Sequence, residues 1–335
     1  MNILITGGAG YIGSHTAKAL LQVKSHHITI IDNLSTVFSK TIETLQAISH
    51  LEFVNLNLSD WQSVASFFAT HSFDAVIHFS ASLIVPESIE KPLDYYLNNT
   101  VNTANLLKEC VKHNIHKFIF SSTAVVYQEL SIDKVQNGLS EDFPLMPINP
   151  YGHSKLFSEQ IIQDTAKAYP DFKYAILRYF NVAGADKEGL IGQSSANATH
   201  LIKVAAQTAL GKRDKMFIFG DDYATSDGTC IRDYIDIDDL ALAHIQALAY
   251  LENGKSDIFN CGYGKGFSVK EVLETMKRVS GVDFKVEIAP RREGDPAVLI
   301  ANSQKIKKEM GWEPRYNDLS LMCQKALEWE KKICV

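Results

Sequence analysis

At 335 residues the chain is longer than a single hydrophobic core usually grows, so two domains, or one large α/β unit with an annex, are expected. Apolar residues make up 46% and charged residues 21%, which excludes a disordered chain, and the net charge of −6 argues against a nucleic-acid partner held by general electrostatics. The five cysteines are scattered with no paired metal or redox spacing, and no apolar run reaches transmembrane length, so the sequence reads as a soluble cytoplasmic protein with no metal and no membrane contact.

In chain order, short apolar runs at Ile3–Ile5, Ile28–Ile31, Phe53–Leu56, Ala75–His78, Phe118–Phe120 and Tyr174–Leu177 read as strands. Helical spacing of apolar residues marks Tyr11–Leu21, Trp61–Thr70, Thr100–Lys112 and Pro150–Ala168, with Asp60 and Asn149 at N-cap or turn positions. Alternating strands and helices predict an α/β fold, a doubly wound parallel sheet of Rossmann type. After Asn181 the rhythm breaks into a loop region to about Ala198, a helix-like stretch to about Leu210 and a loop around Gly220–Thr229, which predicts a smaller α+β domain. The run Ile235–Leu251 reads as a helix and Ile258–Cys261 as a strand, both returning to the first domain. The expected division is therefore 1–180 with 235–261, against 181–234 with 262–335.

The turn Thr6-Gly7-Gly8-Ala9-Gly10-Tyr11-Ile12-Gly13 follows the first strand and opens a helix. Glycines there permit a tight turn, let backbone amides approach a pyrophosphate and allow close helix-on-strand packing, while the helix N-terminus supplies positive potential. Asp32 ends the second strand, where its carboxylate can accept both hydroxyls of an adenosine ribose and would repel a 2′-phosphate. That predicts NAD rather than NADP. A plain glycine-rich turn and a turn-forming aspartate are the alternatives.

Tyr151 and Lys155 stand four residues apart, so on a helix both project from one face. A tyrosine with an ordinary pKa near 10 is a poor base at pH 7, and a nearby ammonium together with a nicotinamide cation is expected to bring it toward neutrality. Thr123, at the end of the Phe118–Phe120 strand region, is the third candidate, its hydroxyl bridging substrate and Tyr151. Ala124 and Val125 follow it and cannot transfer protons, which disfavours elimination of water. Farther on, Arg178-Tyr179-Phe180-Asn181 joins a charge, two aromatics and an amide at the expected cleft, and Arg232, Arg291, Arg292 and Asp295 suit a diphosphate and a ribose diol. Each of these charges taken singly could equally be a surface ion-pair partner.

The glycine spacing resembles the extended short-chain dehydrogenase family. Four further blocks, Pro92–Asn99, Leu177–Asn181, Asp227–Tyr234 and Ala289–Asp295, make the whole chain similar to its UDP-glucose 4-epimerase branch. The resemblance implies NAD held by Gly7, Gly10, Tyr11, Ile12, Gly13, Asp32, Asn33, Asn57, Leu58, Phe79, Ser80, Ala81, Asn98, Tyr151, Lys155 and Tyr179. It implies a UDP-sugar held by Thr123, Phe180, Asn181, His200, Leu201, Arg232, Arg292 and Asp295, with Phe180 lining the sugar pocket. It also implies a homodimer paired through the Thr100–Lys112 and Pro150–Ala168 helices.

Four positions depart from the best-known members of that branch. Asn57 replaces an aspartate at the adenine, Leu83 a lysine near the nicotinamide ribose and His200 an asparagine at the diphosphate, and Leu299 stands where side-chain size gates N-acetylated sugars. The activity implied is reversible C4 epimerisation of UDP-glucose and UDP-galactose through a 4-keto sugar. A 4-epimerase of UDP-N-acetylhexosamines or of another UDP-sugar, and a non-catalytic NAD sensor, are the alternatives.

Overall fold

The computed structural model describes residues 1–23, 25–128, 137–195, 199–292 and 295–333; Ala198, two residues of the Ala289–Asp295 block (Glu293 and Gly294) and one of the five cysteines (Cys334) lie outside them. Strand β1 (Asn2–Thr6) leads into α1 (Tyr11–Gln22), and the alternation continues through β2 (His27–Asp32), α2 (Lys40–Ile48), β3 (Glu52–Asn55), α3 (Trp61–Thr70) and β4 (Ala75–His78). Short helices α4 (Val85–Glu90) and α5 (Pro92–Tyr95) run into a π-helical turn, Tyr96–Val101, and then α6 (Asn102–Lys112). The regular part closes with β5 (Lys117–Thr123), α7 (Pro150–Ala168) and β6 (Lys173–Tyr179). Beyond it come β7 (Asn181–Ala183), α8 (Leu201–Ala209), β8 (Met216–Phe219), β9 (Ile231–Asp236), α9 (Ile237–Glu252), β10 (Asp257–Cys261) and β11 (Gly266–Ser268). The chain ends with α10 (Val269–Ser280), β12 (Val286–Ala289), β13 (Val298–Leu299), α11 (Gln304–Met310) and α12 (Leu319–Lys332).

Seven strands make one parallel sheet in the order β10-β6-β5-β4-β1-β2-β3, the doubly wound arrangement expected from the sequence. Side chains on a strand alternate between faces, and β1 shows the result. Ile3 and Ile5 pack with Ala17 and Leu20 of α1 and Leu240 and Ala243 of α9, while Leu4 packs with Val64 and Phe68 of α3 and Leu106 of α6. Both faces are thus covered, which is why these strands are apolar throughout rather than alternating. Each such buried aliphatic or aromatic side chain contributes about 1.5–3 kcal/mol relative to exposure.

Strand order reverses between β1 and β4, and in such sheets the crevice beyond the carboxyl ends of the two strands is where ligands bind. Thr6 and His78 end these strands in register, and Thr6 Oγ1 lies 2.6 Å from His78 Nδ1. The remaining strands form two small sheets, β9 flanked by β11 and β13 and also paired with β7, and β8 paired with β12. Strand β10 adds to the edge of the large sheet beside β6.

Two elements differ from the sequence expectation. The helix expected from Thr100 is continuous with a π-helical turn that starts at Tyr96, because Asn98 and Asn99 bond sideways to Ser82 and a wider turn accommodates them. Ile235 and Asp236 end a strand rather than begin a helix; the Asp236 side chain accepts from the Asp238 N–H and so caps α9. Asp60 and Asn149 do cap α3 and α7, accepting from Ser63 N at 3.1 Å and Gly152 N at 2.9 Å. Among the described residues no helix is long and apolar enough to cross a membrane.

Candidate active site

The turn after β1 is held by Gly7, whose N–H donates to Ile31 O at 2.9 Å and whose φ of +68° favours glycine. A Cβ on Gly7 would lie 2.7 Å from Ser80 N, and one on Gly13 2.8 Å from Gly8 Cα, so side chains there would fill the cradle. Helix α1 begins at Tyr11 with Gly10 as N-cap, no capping side chain and no acid in its first turn. Its N-terminal amides and positive end therefore suit a phosphate anion. The Tyr11 hydroxyl itself is committed elsewhere, donating to Gly184 O at 2.7 Å, so toward a cofactor Tyr11 offers its backbone.

Asp32 Oδ2 accepts from Ala9 N at 3.1 Å and Oδ1 from Leu34 N at 2.8 Å, tying the glycine turn to the end of β2. Burial raises its pKa and these two amides oppose the rise. Each carboxylate oxygen retains lone-pair capacity for a ribose hydroxyl. Asn33 and Asn57 close local turns, accepting from Ser35 N and Ser59 N, and Leu58 is buried beside them. On the other flank Phe79 N donates to Thr6 O at 3.0 Å, and Asn98 Nδ2 donates to Ser82 Oγ at 3.0 Å, so the Phe79-Ser80-Ala81 strip runs between Gly7 and Asn98. Leu83, at the position expected near the nicotinamide ribose, is half exposed and brings no charge there.

Thr123 ends β5 and Tyr151 stands in the first turn of α7, and their side chains are hydrogen-bonded. Lys155, one turn on, is buried; its Nζ donates to Ser121 O at 2.8 Å and sits 4.8 Å from the Phe120 ring centroid. Helix α7 thus brings Tyr151 and Lys155 to the carboxyl end of β5. Burial shifts the two groups in opposite directions. Burial pushes Tyr151 up to about 12, with only the Thr123 bond pulling it down, and burial pushes Lys155 down to about 7 against the raising influence of Glu159. Lys155 alone does not bring the phenol to neutrality, so a further positive charge at the cleft is required for that.

One expectation is corrected: Arg178 does not face the cleft. It is buried behind the site, with Nε 3.0 Å and Nη2 2.7 Å from the two oxygens of Glu159, and its Nη1 donates to the Tyr127 hydroxyl at 3.0 Å. Ser122 Oγ donates to the same carboxylate at 2.5 Å, and Tyr127 donates to Asn260 Oδ1 at 2.7 Å. This network joins β5, β6, α7 and β10 directly beneath the reactive groups. Sequence reading missed Glu159, although its place four residues after Lys155 puts it on the same helix face.

The candidate substrate residues fall into two groups. Asn181, His200 and Leu201 line a cavity with Tyr11, Gln193 and Tyr234. His200 Nδ1 lies 2.6 Å from Gln193 Nε2, and burial lowers the ring to about 4, so it is neutral at pH 7. The second cavity holds Arg292 and Asp295 with Tyr223 and Ile148. There Asp295 is ion-paired with Arg232, and the Arg292 guanidinium stacks 3.7 Å from the Phe219 ring centroid. Arg291, on the wall of the same cavity, pairs with Asp222 at 2.6 Å and lies 4.1 Å from the Tyr223 ring centroid. Phe180 packs in one apolar cluster with Ala124, Val298 and Leu299, linking the two groups to the Thr123 end of β5. No group of three or more His, Cys, Asp or Glu among the described residues is arranged to hold a metal.

A family model described as the NAD dependent epimerase/dehydratase family matches residues 3–262. The UDP-glucose 4-epimerase of Halalkalibacterium halodurans is 46% identical over 333 residues, spanning 99% of this chain and 96% of that protein. Among solved structures, the UDP-Glc/GlcNAc 4-epimerase from Campylobacter jejuni is similar with a TM-score of 0.86 and 55% identity, covering 99% of each chain. The UDP-glucose 4-epimerase from Bifidobacterium longum, solved in complex with NAD+ and UDP, is similar with a TM-score of 0.93 and 36% identity, covering 99% of this chain and 98% of its own.

Proposed function

The chain belongs to the NAD-dependent epimerase/dehydratase family, and on that premise we propose that it interconverts UDP-glucose and UDP-galactose by inverting C4 through a transient 4-keto sugar. The observation that carries this reading is the meeting of Thr123, Tyr151 and Lys155 at the end of β5, followed by Ala124 and Val125, which leave hydride and hydroxyl-proton transfer as the available chemistry.

The uncapped α1 N-terminus, the Gly7 and Gly13 cradle and the Asp32 carboxylate suit the pyrophosphate and adenosine ribose of NAD. When bound, NAD supplies a reversible hydride acceptor and the positive charge that Tyr151 needs. The chain's own groups do the rest. Tyr151 takes the C4 hydroxyl proton and later returns it, and Thr123, bonded to Tyr151, bridges it to the sugar oxygen. Lys155, fixed on Ser121 O, places an ammonium at the same end of β5 as the phenol. Asn181, His200, Leu201, Arg232, Arg292 and Asp295 hold the uridine diphosphate while the planar sugar turns over against Phe180 and Leu299. With the sugar turned over, Tyr151 returns the proton to the C4 oxygen, and a bound NAD would supply the hydride to the opposite face of C4, with no net redox change, so a retained cofactor is expected. Purified protein with NAD is expected to interconvert the two UDP-hexoses, and a Tyr151→Phe variant is expected not to. Equal rates for the two proteins, or no interconversion by either, would sink the reading.

A second reading, turnover of UDP-N-acetylhexosamines as well, is favoured by the likeness to the Campylobacter jejuni UDP-Glc/GlcNAc 4-epimerase and by a leucine rather than a larger side chain at position 299 beside Phe180. Comparing UDP-GlcNAc with UDP-glucose as substrates decides it. Activity confined to the acetylated sugar would replace the narrower assignment.

We further propose that the enzyme works as a homodimer in a reducing cytoplasm. Leu93, Leu97 and Phe157 are 72%, 59% and 46% exposed on adjoining helical segments, and Tyr96 stacks on Phe157 at 5.9 Å. An apolar face of this kind suits pairing with a second copy of the chain. Four cysteines, Cys110, Cys230, Cys261 and Cys323, are free thiols. Light scattering should give twice the chain mass, and Leu97→Asp should halve it; a monomeric parent protein would refute the dimer.

A further inference from the structure

His244 lies in the middle of α9, wholly buried, and its ring has a partner at each nitrogen. Nδ1 is 2.8 Å from Leu240 O, and Nε2 is 2.5 Å from the hydroxyl of Tyr179. A carbonyl oxygen can only accept, so Nδ1 carries the proton. In a neutral ring Nε2 is then an acceptor, and the Tyr179 hydroxyl must donate to it. Burial lowers His244 to about 4, which keeps the ring neutral throughout the physiological range.

The hydroxyl of Tyr179 is therefore oriented by a residue that does not itself reach the cleft. Its proton is committed to His244, and Ser121, on the strand end on which Thr123 sits, opposes the rise that burial gives the Tyr179 pKa. Ser121 is also the residue whose carbonyl receives Lys155 Nζ. Ser121 thus stands between Lys155, held on its carbonyl, and Tyr179, whose hydroxyl is held by His244 on α9. The same imidazole packs 4.9 Å from the ring of Phe79, on the other flank of the crevice.

We propose that His244 is a positioning residue whose single tautomer turns Tyr179 into an obligate acceptor, presenting a lone pair to an amide N–H donor of the bound cofactor. The nicotinamide carboxamide is the donor of that chemistry on NAD, so the proposal rests on the NAD-dependent reading above. Its consequence is that His244, with no contact to substrate, sets how firmly the nicotinamide end is held and how it is turned toward the sugar.

Two measurements test this. In ¹⁵N-histidine-labelled enzyme, long-range nitrogen–proton correlations should show His244 neutral with the proton on Nδ1, and an Nε2–H tautomer or a charged ring would overturn the proposal without recourse to any variant. In a mutant cycle, His244→Leu and Tyr179→Phe should each raise the dissociation constant for NAD by about tenfold, the loss of one buried hydrogen bond, and the double variant should be no worse than Tyr179→Phe alone. Independent losses that multiply to about a hundredfold, or a His244→Leu enzyme within twofold of the parent, would refute action through Tyr179. If the parent enzyme neither binds NAD nor epimerises UDP-glucose, the underlying functional reading fails, whereas a wrong tautomer in an active, NAD-holding enzyme fails only the present proposal.

Discussion

Glu159 and Arg178 meet through two parallel hydrogen bonds, 3.0 and 2.7 Å, with both side chains closed off from solvent. One residue belongs to α7 and the other to β6, so the pair locks together the two elements that carry Lys155 and Tyr179. Removing one member leaves the other charge buried and uncompensated. Glu159→Gln and Arg178→Met are each expected to destabilise the protein by about 3–5 kcal/mol, and exchanging both for well-packed apolar residues should cost less than the sum. Denaturant unfolding of the singles and the double checks this, and strictly additive losses would contradict it.

Tyr151 has a different balance, because its hydroxyl is bonded to Thr123 and holds no structural network together. Tyr151→Phe should lower kcat by roughly 10²–10⁴ with little change in the melting temperature. Lys155→Met should lower kcat too, but at a cost in stability, since Ser121 O loses its 2.8 Å partner and the site loses its buried cation. Parallel kinetics and melts on the two variants separate these outcomes.

At the glycine turn the space itself is the functional feature. Gly13→Ala would drive a methyl to within 2.8 Å of Gly8 Cα, pushing α1 away from the turn. The expected result is protein that purifies without NAD and binds it at least tenfold more weakly, read from fluorescence titration. Unchanged retention of NAD would argue against a pyrophosphate at this turn.

Arg292 stacks on Phe219 in the second cavity, and its proposed role is to hold the substrate diphosphate. A hydrogen bond to a charged group is worth about 1.5–3 kcal/mol, so Arg292→Ala should raise KM for the UDP-sugar by roughly 10- to 100-fold while affecting kcat less. Steady-state kinetics decides, and a fall confined to kcat would move Arg292 out of the binding role.

The parallel sheet was legible because its strands are short apolar runs separated by helical periodicity, and the glycine turn because strand, turn and helix follow in order. Strands β7, β11 and β13 were not legible: they span three, three and two residues, and what makes them strands is pairing with or around β9 rather than any local pattern. Likewise Tyr151 and Lys155 could be read from spacing, whereas His244 and Arg178 could not be placed, since one lies in an unremarkable helix and the other sits beside true cleft residues in sequence. Their surroundings come from distant segments. The opposing pKa directions of Tyr151 and Lys155 were hidden for the same reason, because burial is a property of the assembled fold.

The chain passes between the large sheet with its covering helices and the small β9 sheet repeatedly, and three of these crossings are very short. Only Phe180 separates β6 from β7, β9 runs into α9 with no residue between, and four residues separate β10 from β11. A hinge that opened the cleft would have to bend all three short crossings together, beside the Glu159–Arg178 lock. The walls around the sugar are accordingly expected to keep a nearly constant width through the catalytic cycle, and the large rotation required by inversion falls to the substrate, swinging on its diphosphate inside a rigid chamber.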